Sequence, residues 1–429
     1  MIIGPLAHRD FRRLVTAHAL SRFGTELALV SVAFAVIQIS ASPGALGLVL
    51  CARTLPNVFF LLFGGVWADR LPRARIMVSS DLVCAVVQGT LAVALLTGIA
   101  RLWLVVVLQA LLGAASAFFN PAATGLTPTT VPDSELQRAN GLIGIVSNVA
   151  GMAGPAASGL IVVFAGVGWA VFIDAVTFLA SASLLLGLRR REGGQARVGG
   201  HLRTALGDLA EGWFEVRSRR WMLAGIAQGL LFQACFAVFF TLGPITASSS
   251  LGGADAWGAL VTAFGAGSLI GGLLSLRLIP SRPLLAMQVS LLAATPAMAM
   301  LSLTDRLPLL MAATAAAGAG FAAADAFWET TLQRETPKDR LGRVAAFDRI
   351  GSSCLRPFGY LLAGSAAASV GQDGTLRGAA LLLAISIAAV VVLVPQVRRL
   401  RQGPVALAGD CAGTAPAPNA KPSYDKTGA

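Results

Sequence analysis

Charge is what this chain has least of. Only 13% of its 429 residues are Asp, Glu, Lys or Arg and 55% are hydrophobic, where a soluble domain carries about 25% charged residues. That excludes a soluble catalytic domain of any size and points to a membrane-embedded protein. Cysteine is scarce too: Cys51, Cys84, Cys235, Cys354 and Cys411 stand far apart with no C-x-x-C pair, which argues against a disulfide framework. Three scattered histidines, His8, His18 and His201, offer no metal-ligand spacing, so no metal and no cofactor are expected. There is no Walker-type loop and no nucleophile–base pair, so neither ATP-driven work nor an enzyme is expected. Lysine is nearly absent: 30 of the 33 basic residues are arginine, a bias that fits a GC-rich bacterial genome. The net charge of +12 does not indicate nucleic acid, because the basic residues fall in short breaks between apolar runs.

What the chain does have is apolar runs of about 20 residues, the length that crosses a bilayer as a helix. Charge, Pro and Gly divide them into twelve spans, near 15–38, 44–67, 76–98, 102–125, 139–165, 168–188, 222–247, 256–279, 284–304, 308–331, 345–370 and 377–396. An isolated strand would leave backbone groups unpaired in lipid, so the fold class is all-α: an integral membrane protein of twelve transmembrane helices in two six-helix halves. With both termini in the cytoplasm, 26 lysines and arginines fall in inner segments, three in outer loops and four within spans. This is the positive-inside imbalance expected of a correct span count. The organisation is an N-terminal half (1–188), a cytoplasmic central loop (189–221), a C-terminal half (222–396) and a polar, disordered tail (397–429). Within the loop, Leu202, Leu206, Leu209 and Trp213 share one helical face, which predicts an amphipathic helix on the inner surface.

Between spans two and three lies Gly65-Val66-Trp67-Ala68-Asp69-Arg70-Leu71-Pro72-Arg73-Ala74-Arg75. Asp69 adds nothing to orientation, so a gating contact with a neighbouring helix end or an arginine is its expected use. Candidate partners are Arg138 and the Arg340 and Arg343 turn. The second half repeats the pattern in part at Gly272, Arg277 and Arg282, six spans of sequence later, without the acid. Span five carries Gly144, Gly151, Gly154-Pro155 and Ser158-Gly159, small residues for close packing and a proline for a bend.

The G-x-x-x-D-R-x-x-R loop and the glycine-rich fifth span resemble the major facilitator superfamily of transporters. Cys51-Ala52-Arg53-Thr54-Leu55-Pro56, Phe119-Asn120-Pro121-Ala122, Arg138-Ala139-Asn140-Gly141-Leu142, Phe172-Ile173-Asp174-Ala175-Val176-Thr177-Phe178 and Leu341-Gly342-Arg343-Val344 are similar to its enterobactin-exporter and macrolide-efflux branch, over about residues 8–396. The resemblance implies a monomeric secondary exporter in the bacterial plasma membrane. It would exchange protons for a small amphipathic molecule such as a drug, antibiotic or siderophore by rocker-switch alternating access. An importer or facilitator of the same fold is the alternative. Gly65, Asp69, Arg70, Arg73, Arg138, Gly154 and Pro155 are then the gating residues. This chain departs from related sequences at two places: Thr25 rather than an acid follows Gly24, and Gln109 stands four before Gly113 where an arginine is common.

Charges within spans each cost about 2.5–3.5 kcal/mol at mid-bilayer unless they face a partner or a wet cavity. Glu26, four residues from Arg22, is read either as a proton-binding carboxylate or as a structural pair with that arginine, and Asp325 is a further proton-coupling candidate. Glu26, Arg53, Gln109, Asp174, Trp328, Arg349 and Arg356 are the cavity candidates. Glu26, Arg53 and Arg356 come out near mid-depth, Asp174 nearer the outer end, and Asp81, Asp325 and Asp348 nearer the inner end. Cationic and aromatic groups near Arg349, Arg356, Phe327 and Trp328 suit an anionic amphipathic product; an Asp348–Arg349 gate pair with Arg356 neutralised by Glu26 is the competing arrangement.

Overall fold

The computed structural model describes residues 4–68, 72–188, 213–214, 216–278, 280–336, 344, 348 and 354–400, with the backbone alone for 62–68. The proposed amphipathic face in the central loop lies outside the described residues apart from Trp213, which with Phe214 is helical and exposed. Of the tail expected to be disordered from 397, only 397–400 are described, and there a short helix, Pro395–Arg399, with Val397 buried, replaces disorder. The first half is built from α1 (Arg9–Ile39), α2 (Pro43–Ala68), α3 (Arg73–Leu96), α4 (Leu102–Ser116, continued by Phe119–Leu126), α5 (Leu136–Phe164) and α6 (Val167–Leu186). The second comprises α7 (Arg220–Thr246), α8 (Ala254–Ser275), α9 (Pro283–Leu292, continued by Ala294–Met300) and α10 (Leu307–Glu335). It ends with a continuous stretch, Arg356–Leu393, broken at Gly371, whose φ of 80° no helix accommodates. The parts before and after Gly371 are α11 and α12. Among the described residues eleven stretches are thus long and apolar enough to cross a membrane, and the break in the last divides it into two, making twelve.

Proline chemistry accounts for the other interruptions. Pro121 has no N–H for the carbonyl of Ala117 and Pro296 none for that of Leu292, and the helix breaks at both carbonyls.

Within the first half α1 packs on α5 and α6, α3 on α6, and α2 on α4; within the second α7 packs on α11 and α12, α8 on α10, and α9 on α10. The halves meet along α5–α8 and α2–α11. Advancing each label by six turns one of these contacts into the other, as two parallel six-helix repeats require. Large apolar side chains such as Val86, Trp103, Phe164, Leu276 and Leu362 stand exposed around the bundle, a surface suited to lipid.

Candidate functional site

Between the halves lies a cavity of about 770 Å³, within the size range of small-molecule sites. On α1 its lining runs from His18 to Leu29, on α2 from Leu50 to Asn57, on α5 from Ser147 to Gly151 and on α8 from Val261 to Gly272. These stretches occupy the middle of the helices and the half towards the face where α1 begins and α12 ends, here called the terminal face. At the opposite face the halves touch backbone to backbone. A Cβ on Gly364 of α11 would lie 2.6 Å from the Cα of Gly44 on α2, and one on Gly258 of α8 would lie 2.6 Å from the carbonyl oxygen of Pro155 on α5. Gly47 against Tyr360 and Gly159 against Ala254 repeat the arrangement. Glycine is needed at these crossings for close approach, since any side chain would hold the helices apart. The cavity is therefore sealed at the opposite face.

Its two walls differ in chemistry. The first half presents Arg22, Glu26, Arg53, Asn57, Asp81, Asn120 and Asn148. Arg22 and Glu26 pair one helical turn apart at 2.7 Å, with Arg22 half-exposed. The second half presents an aromatic wall: Phe236 packs at 5.2 Å between centroids on both Phe240 and Phe264, and Phe264 meets Phe321 at 6.1 Å. Arg356 sits in this wall, its Nε donating to the Tyr360 hydroxyl at 2.9 Å and its guanidinium 5.7 Å from the rings of both Phe240 and Tyr360. Asp325 also lines the second-half side.

The described cavity and proton candidates fall into two groups. Glu26, Arg22, Arg53, Asp325 and Arg356 line the cavity. Gln109, Asp174 and Trp328 do not. Gln109 and Asp174 are wholly buried behind the first-half wall, where Asp174 accepts from Gln88 Nε2 at 2.6 Å and Gln109 Nε2 donates to Gln88 Oε1 at 3.4 Å. Trp328 is buried against Gly225 and Trp221 and donates its indole N–H to Asp348 at 3.1 Å. Asp348, the acid suggested for a gate with Arg349, accepts this indole N–H, and Arg349 lies outside the described residues. Arg356 is engaged by Tyr360 and two rings rather than by Glu26, which pairs with Arg22.

The gating candidates are partly described. Asp69, Arg70 and Arg349 lie outside the described residues, and Gly65 is placed as helix near the end of α2. Arg73 donates to the carbonyl of Gly125 at the end of α4, tying the start of α3 to that helix, and Arg138 is exposed. A Cβ on Gly154 would lie 2.7 Å from the Cβ of Glu26, so this glycine seats α5 directly on α1 behind the Arg22–Glu26 pair. Pro155 offers its carbonyl to the α8 crossing. Ser158, in place of a second glycine, shares a 2.6 Å hydrogen bond with Ser31 of α1.

Three features escaped the sequence reading. One is the aromatic wall, whose signal is Phe232, Phe236, Phe239 and Phe240 on one face of α7. The second is Asp81, assigned only to an inner helix end; it is 1% exposed and accepts from Ser181 at 2.5 Å and Ser21 at 3.5 Å. The third is Gln88, a lone amide in an apolar span.

The sequence model described as Major Facilitator Superfamily matches residues 14–353. The chain is 26% identical over 396 residues to the multidrug efflux pump Tap of Mycolicibacterium fortuitum, covering 88% of this chain and 93% of Tap. It is 23% identical over 265 residues to macrolide efflux protein A of Streptococcus pyogenes, covering 62% and 65%. Among solved structures, the nucleoside transporter NupG superposes with a TM-score of 0.73 at 12% identity over 89% of this chain and 98% of NupG, a likeness of fold.

Proposed function

This chain belongs to the Major Facilitator Superfamily, and from that premise we propose that it is a proton-driven exporter of a small amphipathic molecule. The observation that carries the reading is the cavity with unlike walls, open through the terminal half and sealed opposite. A polar, charged wall facing an aromatic one accommodates a ligand with one apolar and one polar end. The full-length relative named as a multidrug efflux pump supports export as the direction.

Alternating access is the mechanism this arrangement serves. With both termini in the cytoplasm, as the excess of arginine in the inner segments favours, the terminal face is the inner face and the cavity takes substrate from the cell. Rocking the halves about the α2–α11 and α5–α8 lines would part the glycine crossings and close the inner ends. Arg73 begins α3 at the inner face of this reading and is assigned to that closure, together with Asp69 and Arg70, which precede it in the sequence; Gly154-Pro155 seats the α5 that pivots on α8. The coupling ion is a proton, since the cavity contains carboxylates and the sequence carries no nucleotide-binding loop.

The test is ethidium transport in everted membrane vesicles from cells expressing the chain. Export predicts accumulation inside the vesicles under an imposed proton gradient, and loss of that accumulation when a protonophore collapses it. Accumulation that persists after collapse would refute proton coupling. Uptake by intact cells with none by everted vesicles would establish an importer.

A further inference from the structure

The cavity chemistry leaves two buried carboxylates unused. α3 and α6 run antiparallel; Asp81 and Gln88 stand seven residues apart on one, Asp174 and Ser181 seven apart on the other. The seam between them carries two rungs, Asp81–Ser181 and Asp174–Gln88, about 10 Å apart along the helices. Asp81 is 1% and Asp174 0% exposed, and among the described residues neither forms an ion pair.

The partners of both acids share one property. Asp81 is held by the hydroxyls of Ser21 and Ser181, and Asp174 by the amide of Gln88 and the hydroxyl of Thr177. A hydroxyl can donate or accept by turning its hydrogen, and an amide does so by a half-turn of its end group. An arginine, by contrast, can only donate and carries a positive charge, so it favours the ionised acid. Each carboxylate is therefore seated for either charge state. The orphan in this network points the same way: Oε1 of Gln109, wholly buried at the far end of the Asp174–Gln88–Gln109 chain, has no hydrogen-bond partner among the described residues. As drawn, Gln109 donates to Gln88 and Gln88 to an ionised Asp174. With Asp174 protonated the chain can reverse: its O–H donates to Gln88 Oε1, and Gln88 Nε2 turns to donate to Gln109 Oε1.

We propose that Asp81 and Asp174 on the α3–α6 seam, rather than Glu26, bind and release the driving proton, and that α1 transmits their charge state to the cavity. Asp81 touches the cavity and is the point of entry; Asp174 lies deeper. α1 bridges the two regions. Ser21 bonds Asp81, and Gly24 lies so close to Asp174 and Thr177 that no Cβ fits between. The other face of α1 carries Arg22 and Glu26 into the cavity. The ionisable groups facing the seam are Arg53 from α2, Cys84 from α3, and His18, Arg22 and Glu26 from α1; α4 and α6 add none besides Asp174. Arg53, with Nη1 buried and unpartnered among the described residues, lies near enough to act electrostatically on Asp174 and is the cation placed to balance that acid when the proton leaves.

The proposal rests on the proton-antiport reading, and two measurements separate their failures. Infrared difference spectra of the purified chain in lipid, taken across a pH titration with the proton itself as probe, should show the carbonyl band of a protonated buried acid. That band should weaken in Asp81→Asn and Asp174→Asn and survive Glu26→Gln. Ser181→Ala and Thr177→Val, milder changes for use if the Asn variants fail to fold, should each move its pH midpoint. In everted vesicles the Asn variants should lose gradient-driven ethidium accumulation at least tenfold. A band carried by Glu26, or Asn variants that pump like the parent, would overturn the proposal while leaving proton antiport standing. A parent indifferent to the gradient would remove the antiport reading and the proposal with it.

Discussion

A single methyl group on Gly364 should shift this protein towards a state open at the opposite face. A Cβ there would lie 2.6 Å from the Cα of Gly44, 2.9 Å from its nitrogen and 3.2 Å from the carbonyl carbon of Pro43, all backbone atoms of α2. Carbon atoms in contact sit about 3.5–4.0 Å apart, so α2 and α11 must part by about 1 Å at that level. Overpacking of this kind costs about 1–3 kcal/mol. It applies only while the opposite-face ends of α2 and α11 are together. The helix-propensity gain of Gly→Ala, about 1 kcal/mol, is the same in both states and cancels. A differential near 2 kcal/mol changes the population ratio by about 30-fold. The assay is the distance between spin labels at Ser42→Cys and Gln372→Cys, which flank the crossing, with the five native cysteines replaced. Gly364→Ala should add a longer-distance population. Gly44→Ala is the internal control: its Cβ meets only the Ser42 hydroxyl, at 3.5 Å, so the same methyl on the same contact should leave the distribution alone. A Gly364→Ala distribution matching the parent, in folded and monodisperse protein, would refute the seal.

Three further outcomes follow from other sites. Arg356→Leu removes the bond to Tyr360 and the charge on Phe240, and should alter efflux of anionic relative to neutral dyes; equal efflux of both would remove Arg356 from substrate recognition. Ser158→Ala deletes the 2.6 Å bond to Ser31 between α1 and α5 and should lower the melting temperature in detergent slightly, in line with about 1 kcal/mol or less for such bonds in membranes; an unchanged melting curve would show the bond to be neutral. Asp69→Asn should impair transport while membrane insertion, followed by blotting of isolated membranes, stays normal; unimpaired efflux would reduce the loop to an orientation signal.

The fold was legible because hydropathy in a membrane protein reports length and spacing directly. The expected spans other than the eleventh coincide with helices to within about six residues at each end, even where Pro121 and Pro296 interrupt the hydrogen bonding. Of the eleventh, 345–370, the described helix begins at Arg356, and most of 345–355 lies outside the described residues. The break between α11 and α12 was legible from Gly371 and the charged pair Asp373 and Arg377. Rotation about each helix axis was not. In a soluble helix the apolar stripe marks the core, but here lipid and core are both apolar, so neither face of α3, α4 or α6 is distinguished by hydropathy. That is why Gln109 and Asp174 were expected in the cavity and lie behind its wall.

Depth alone therefore ranks intramembrane charges poorly; the chemistry of their partners ranks them better. Glu26 and Asp174 are both carboxylates within spans, and from sequence Glu26, near mid-depth, is the proton candidate and Asp174 a cavity candidate only. The partners reverse that order. Arg22 at 2.7 Å favours only the ionised Glu26, whereas Gln88 and Thr177 can accompany Asp174 through a change of charge. A site that must load and unload a proton in every cycle needs neighbours that serve both states. Partners four residues along one helix can be found by inspection of the sequence; partners 86 and 100 residues away, as Gln88 is from Asp174 and Ser181 from Asp81, exist only once α3 and α6 are packed together.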